Sequence, residues 1–270
     1  MATARLATPW HNERRAVAGR SSCHSAPVPK NYFDEHRAKR YDADSTDMFE
    51  PAVVDSAVSF LADLAGTGAA LELGIGTGRI ALPLSQRGIR VHGIDLSQAM
   101  VAQLQAKPGA DDIDVTIGDF ATTRVRRTFR LAYLVYNTIT NLTTQDEQVE
   151  CFRNAAAHLE PGGCFVVEVF VPVLQRLPPG ETVRAFTVSP TRLGFDEYDI
   201  ATQILFSHHY WAIDGQLEVF SAPYRYVWPS ELDLMARLAG MTLRERWSSW
   251  NREPFTSDST KHVSVWEKAA

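Results

Sequence analysis

The stretch Leu71-Glu72-Leu73-Gly74-Ile75-Gly76-Thr77-Gly78-Arg79 runs from an apolar strand through three alternate glycines into the helical segment Ile80-Ala81-Leu82-Pro83-Leu84-Ser85. Glycine lacks a Cβ, so it takes positive φ without steric cost and lets the backbone and the next helix start approach a small molecule. Dinucleotide-binding chains use G-x-G-x-x-G to seat a pyrophosphate on the helix end, whereas these glycines fall as G-x-G-x-G. The loop is built to touch a ligand, and it lacks the pyrophosphate fingerprint.

Working outward, apolar strands and helical stretches alternate. Ile89–Ile94 ends in Asp95, seventeen residues past Gly78, and is followed by Leu96-Ser97-Gln98-Ala99-Met100. A carboxylate at the end of a second strand can accept both hydroxyls of a ribose. Ile113–Ile117 leads to Gly118-Asp119-Phe120, and Leu131–Tyr136 leads to Asn137-Thr138. A helix predicted from about Thr144 to Leu159 and the turn Glu160-Pro161-Gly162-Gly163 precede a fifth strand, Cys164–Phe170. Alternation of this kind predicts an α/β fold around a parallel sheet.

Four of these segments, in register over residues 71–170, resemble the class I S-adenosylmethionine-dependent methyltransferases, in their small-molecule branch of natural-product and sugar enzymes. The resemblance implies a Rossmann-like, doubly wound seven-stranded sheet with an antiparallel last strand. It implies S-adenosyl-L-methionine as the cofactor, with Glu72, Gly74, Gly76, Gly78, Asp95, Leu96, Met100, Asp119, Phe120 and Asn137 as its binding residues. Asp95 takes the place of the ribose clamp. Asp119 and Phe120 look like the adenine site; a simple loop acid is the lesser reading of Asp119, while Phe120 reads equally as core packing.

Composition suits one soluble globular enzyme: 270 residues, 45% hydrophobic, 22% charged and a net charge of −5. Nothing approaches the ~18 apolar residues of a membrane span, and no basic footprint for nucleic acid is present beyond Arg124-Val125-Arg126-Arg127. Cys23, Cys151 and Cys164 are odd in number and lack metal-ligand spacing, so we expect no metal and a reducing cytoplasmic compartment. A small-molecule acceptor is the expected partner, with a homo-oligomer left open. Residues 1–30, Arg-rich and nearly free of acids, read as a disordered tail.

The organisation expected after that tail has three parts. Residues 31–170 carry lid helices and the donor-binding core, residues 171–228 an inserted β lid after the fifth strand, and residues 229–270 the rest of the core. In the lid, Thr202–Ile213 and Gln216–Trp228 flank Asp214-Gly215, a type I′ turn signal. Pairing Ile213 with Gln216 sets His208 opposite Ser221, on one face with Tyr210 and Arg225. His209 then shares the other face with Trp211 and Phe220.

The family's N-terminal segment resembles Tyr32…Arg40-Tyr41-Asp42 here, which implies that Tyr32 and Tyr41 line the acceptor pocket. Asn141, His208, Tyr210 and Arg225 complete the expected acceptor set. A sulfonium methyl is already activated, so in-line positioning is the main requirement, with a base helping where the acceptor is protonated. Tyr41, His208 and Glu168 are the catalytic candidates, and His209 is a fourth group able to act as base. A donor-binding protein without catalysis remains the alternative.

Overall fold

The computed structural model describes residues 31–213 and 215–269. Residues 1–30, expected to form a tail, and Asp214 of the expected hairpin turn lie outside the described residues. The chain opens with α1 (Glu35–Asp44), capped by the Asp34 side chain, and α2 (Pro51–Ala65), which starts on proline and buries Ala57, Val58, Phe60, Leu61 and Leu64. The alternating core follows: β1 (Ala70–Leu73), α3 (Ala81–Gln86), β2 (Val91–Asp95), α4 (Gln98–Gln105), β3 (Asp114–Ile117) and β4 (Phe129–Leu134). It continues through α5 (Gln145–His158), begun by a Thr144/Glu147 capping box, into β5 (Leu159–Phe170).

Four strands come next, β6 (Val183–Val188), β7 (Arg192–Asp199), β8 (Ile204–Ile213) and β9 (Gln216–Arg225). The chain closes with α6 (Pro229–Leu238), β10 (Met241–Trp247) and β11 (Lys261–Lys268).

The main sheet has the order β10-β11-β5-β4-β1-β2-β3, with β11 antiparallel to both neighbours and the other core pairs parallel. Helices cover both faces, so the central strands are buried on each side and read as continuous apolar runs. The expected seven-stranded sheet with an antiparallel last strand is present. Because parallel strands deliver their C-terminal ends to one edge, the loops after β1, β2, β3 and β4 meet there.

The second sheet is antiparallel, in the order β6-β7-β8-β9. The β8–β9 register is the one expected, with Ile213 opposite Gln216 and His208 opposite Ser221. Strands β6 and β7, which the turn signal at Asp214-Gly215 does not announce, extend this hairpin into a sheet. Tyr198, Leu205 and Tyr226 anchor the sheet against Phe170, Val173 and Leu174.

Candidate active site

The glycine loop takes the conformation its sequence demands. Gly74, Gly76 and Gly78 have φ of +73°, +56° and +78°, in the left-handed region. A Cβ on Gly74 would stand 2.5 Å from Thr138 Cγ2, and one on Gly78 2.3 Å from Leu104 Cδ1. At Gly76 it would meet only Met100 Cε, at 3.4 Å. The outer two glycines are therefore packing requirements, while Gly76 forms the open rim of the loop beside buried Met100.

Asp95 faces that rim. Its Oδ2 accepts from the Gly76 N–H at 2.7 Å and its Oδ1 from the Ser97 N–H at 2.8 Å. Burial raises this carboxyl above its ordinary range, and the two N–H groups oppose the rise. A carboxylate has about four lone-pair sites, so these two bonds leave capacity for further donors. Leu96 follows, half-buried.

Glu72 lies beneath the loop, fully enclosed, accepting from the Tyr133 hydroxyl at 3.0 Å. Burial pushes its carboxyl up to about 8. Asp119 folds its carboxylate back onto its own turn, accepting from the Ala121 N–H at 2.9 Å and the Thr122 hydroxyl at 3.2 Å. Phe120 belongs to the main core and comes 3.7 Å from the Cβ position of Gly74. Asn137 sits at φ +62° and accepts from the Phe170 N–H, tying the ends of β4 and β5 together.

Helix α1 closes this edge. Its Asp42 accepts from the Thr77 hydroxyl at 2.7 Å and from Lys107 Nζ at 2.5 Å, and Ser97 donates to the Phe33 carbonyl at 2.5 Å. On its other side α1 meets the lid: Arg40 pairs with Glu218, and the Arg37 guanidinium lies over the rings of Phe220 and Trp211, at 4.4 Å and 5.0 Å. A cavity of about 170 Å³ opens there, lined by Arg37, Arg40, Asp44, Trp211 and Glu218 among others.

Between donor loop and lid stand three tyrosines. Tyr41 packs edge-on to Phe33, and burial pushes its hydroxyl up to about 12, with Tyr136 adding to the rise. Tyr224 is likewise pushed to about 12 by burial, and its neighbours include Arg37, Tyr136 and Tyr32. Tyr136, at φ +51°, follows β4 with its ring facing the Arg79 guanidinium at 5.6 Å. Glu168 is held at both oxygens: Oε2 accepts from the Tyr136 N–H at 2.9 Å and Oε1 from Trp250 Nε1 at 3.0 Å.

Four expected acceptor residues are engaged elsewhere. The side of the lid that meets α1 carries Trp211, Glu218, Phe220 and Tyr224, so strand alternation sends His208 and Tyr210 to the opposite side. There His208 bonds Ser221 at 2.8 Å and stacks on Phe195, as does Tyr210. Arg225 is buried among Gln148, Gln203 and Glu231, where it bonds all three and fastens the lid to α5 and α6. Asn141 donates to the Thr138 carbonyl at 3.0 Å and holds the turn after β4. The face that turns inward instead presents His209 and Arg192, with Arg37 of α1 packed against it, none of them in the acceptor set expected from sequence.

These features define a nucleoside-binding Rossmann-like site capped by an N-terminal helix and a β lid. A family model described as a methyltransferase domain matches residues 70–163. The CcbJ methyltransferase from Streptomyces caelestis is 36% identical, with 88% of this chain and 98% of that chain covered and a TM-score of 0.80. A cypemycin N-terminal methyltransferase from a Streptomyces species is 28% identical over 246 residues, covering 87% and 97% of the two chains. The fold is shared with S-adenosylmethionine-bound CalS10, an amino pentose methyltransferase from Micromonospora echinaspora, at 20% identity and a TM-score of 0.62 over 87% of this chain and 98% of that one.

The chain belongs to the S-adenosylmethionine-dependent methyltransferases. Its residues fit the donor: the rim at Gly76 is open, and the half-buried Asp95 carboxylate keeps lone pairs for further hydrogen-bond donors.

Proposed function

We propose that this methyltransferase acts on an amine nitrogen of a small-molecule acceptor, held between Tyr41, Tyr136 and Tyr224. When bound, S-adenosylmethionine supplies a methyl group activated by its sulfonium. Asp95 would hold its ribose, and the Gly74–Gly78 loop and the Asp119-Phe120 turn would supply the other donor contacts. The lid and α1 would hold the acceptor so that its lone pair meets the transferred methyl in line.

The observation that carries the amine reading is the state of the groups at the cleft floor. Burial keeps the Tyr41 and Tyr224 hydroxyls protonated and, with Arg37 and Arg192, holds the His209 imidazole down to about 4, which makes it a weak base. An alcohol needs a base to become a good nucleophile, whereas an amine that reaches the site unprotonated does not. The name of the cypemycin relative states methylation at an N-terminus, which fits a nitrogen acceptor. Glu168 and Tyr41 therefore position the site and the acceptor, and His208 on the far face has no part in the chemistry. Free, buried Cys151 and Cys164 support a reducing, cytoplasmic setting.

The test is donor-dependent methyl transfer to matched panels of amines, phenols and indoles, read by mass spectrometry. Methylated amines are the expected product. Phenols or indoles taken in preference would contradict the amine reading, and donor binding without any product would favour a non-catalytic binder.

A further inference from the structure

The inward face of the lid holds a small polar group that the transfer chemistry does not use. Asp196 on β7 pairs directly across from Ser207 on β8; burial raises its carboxyl, and a hydrogen bond from the Ser207 hydroxyl opposes the rise. Ser207 Oγ also lies 3.1 Å from His209 Nε2. A hydroxyl has one proton. With that proton directed to Asp196, the Ser207 oxygen accepts from His209, which places the imidazole proton on Nε2 and leaves Nδ1 as a lone-pair acceptor.

That Nδ1 is buried and has no hydrogen-bond partner among the described residues, and the same is true of Arg37 Nε and Arg192 Nε. All three groups surround Trp211: His209 stacks on its ring at 5.4 Å, and the Arg37 and Arg192 guanidinium groups lie over it at 5.0 Å and 5.8 Å. Arg37 and Trp211 also line the cavity between α1 and the lid. Buried polar atoms carry a desolvation cost unless they are paired, so one acceptor beside two N–H donors calls for a ligand group with both functions.

We propose that His209, with Arg37 and Arg192, binds a neutral hydroxyl of the acceptor molecule, remote from the atom that is methylated. A carboxylate has no proton for Nδ1. An ammonium has no lone pair for the arginines and is repelled by them. A hydroxyl donates to Nδ1 and accepts from a guanidinium N–H. The imidazole stays neutral in this role, because burial and then the two arginines hold it down to about 4, against a smaller opposing effect of Asp44. The inference rests on the small-molecule amine reading and adds the hydroxyl to it.

The experiment uses cyclohexylamine and the 2-, 3- and 4-aminocyclohexanols as probes. Calorimetry measures their binding to the full chain loaded with S-adenosylhomocysteine, and transfer to each is measured separately. Wild type should bind at least one aminocyclohexanol about tenfold or more tighter than cyclohexylamine, the size of effect expected for pairing a buried polar atom. His209→Ala should erase that preference. His209→Asn, whose side-chain oxygen can stand near the Nδ1 position, should restore much of it, a rescue that mere packing would not give.

Equal binding of all probes by wild type, binding of none, or a preference that survives His209→Ala would each overturn the proposal. Methylation of these amines without any hydroxyl preference would sink the His209 inference and leave the amine reading standing. A His209-dependent preference without transfer would do the reverse.

Discussion

The edge of the main sheet and the inward face of the lid handle polar groups in opposite ways. At the sheet edge, the carboxylates of Asp95, Asp119 and Glu72 each accept from neighbours in the protein, and glycines at positive φ bring backbone to the rim. Where the lid meets α1, Nδ1 of His209 and Nε of Arg192 on the lid and Nε of Arg37 on α1 are buried without protein partners among the described residues. A site whose ligand never changes can be preorganised around backbone and satisfied carboxylates. A site for a variable acceptor is made of side chains on a separate sheet, where substitutions leave the core intact.

The sharpest contrast between the regions is steric. Gly74→Val combines a left-handed backbone with a Cβ 2.5 Å from Thr138, so strain and overpacking together should cost about 2 to 6 kcal/mol of stability. Gly180, also at positive φ but with nothing within 4 Å of its Cβ position, should lose only about 1 kcal/mol as Gly180→Ala. Denaturant midpoints check both, and equal losses would break the contrast.

Glu72 gives a pH-dependent version of the same comparison. Burial raises its folded-state value from 4.5 to about 8, so the folded chain binds this proton more tightly than the unfolded chain does. Its contribution is fully present below 4.5 and is lost as pH rises through about 8. Against Glu72→Gln, wild type should therefore lose melting temperature steadily across that window. A constant gap between the two proteins would mean that Glu72 keeps an ordinary pKa.

Much of this division was legible from the chain itself. The glycine spacing, the carboxylate seventeen residues on and the strand-helix alternation specify local structure, and the parallel sheet then carries those loop ends to one edge. The β8–β9 register was legible because a two-residue connection and a period of two leave little freedom. Strands β6 and β7 were missed, although Ser189-Pro190-Thr191 between two β-rich runs was an available turn signal. The pairing gave both faces of the hairpin and could not say which one turns inward. That choice depends on Arg37 reaching Phe220 and Trp211 from a distant part of the chain, as do the placements of Arg192 and Tyr224.

Within the lid, the two faces should differ in function. Tyr41→Phe, at the junction of α1 and the cleft, should lower turnover about tenfold, a size usual for a lost positioning contact. Tyr210→Phe, on the opposite face, should change it less than about twofold. Steady-state kinetics with an amine acceptor decide this, and equal losses would put the acceptor on the wrong side of the sheet.

The central claim is that the sheet edge holds the donor and the α1–lid surface holds the acceptor. Calorimetric titration of S-adenosylhomocysteine into Asp95→Ala and Tyr41→Phe tests it most directly. Loss of hydrogen bonds to a charged group should weaken binding to Asp95→Ala about tenfold to a hundredfold, while Tyr41→Phe stays within about threefold of wild type. Unchanged affinity in a folded Asp95→Ala, or a larger loss in Tyr41→Phe, would contradict the claim.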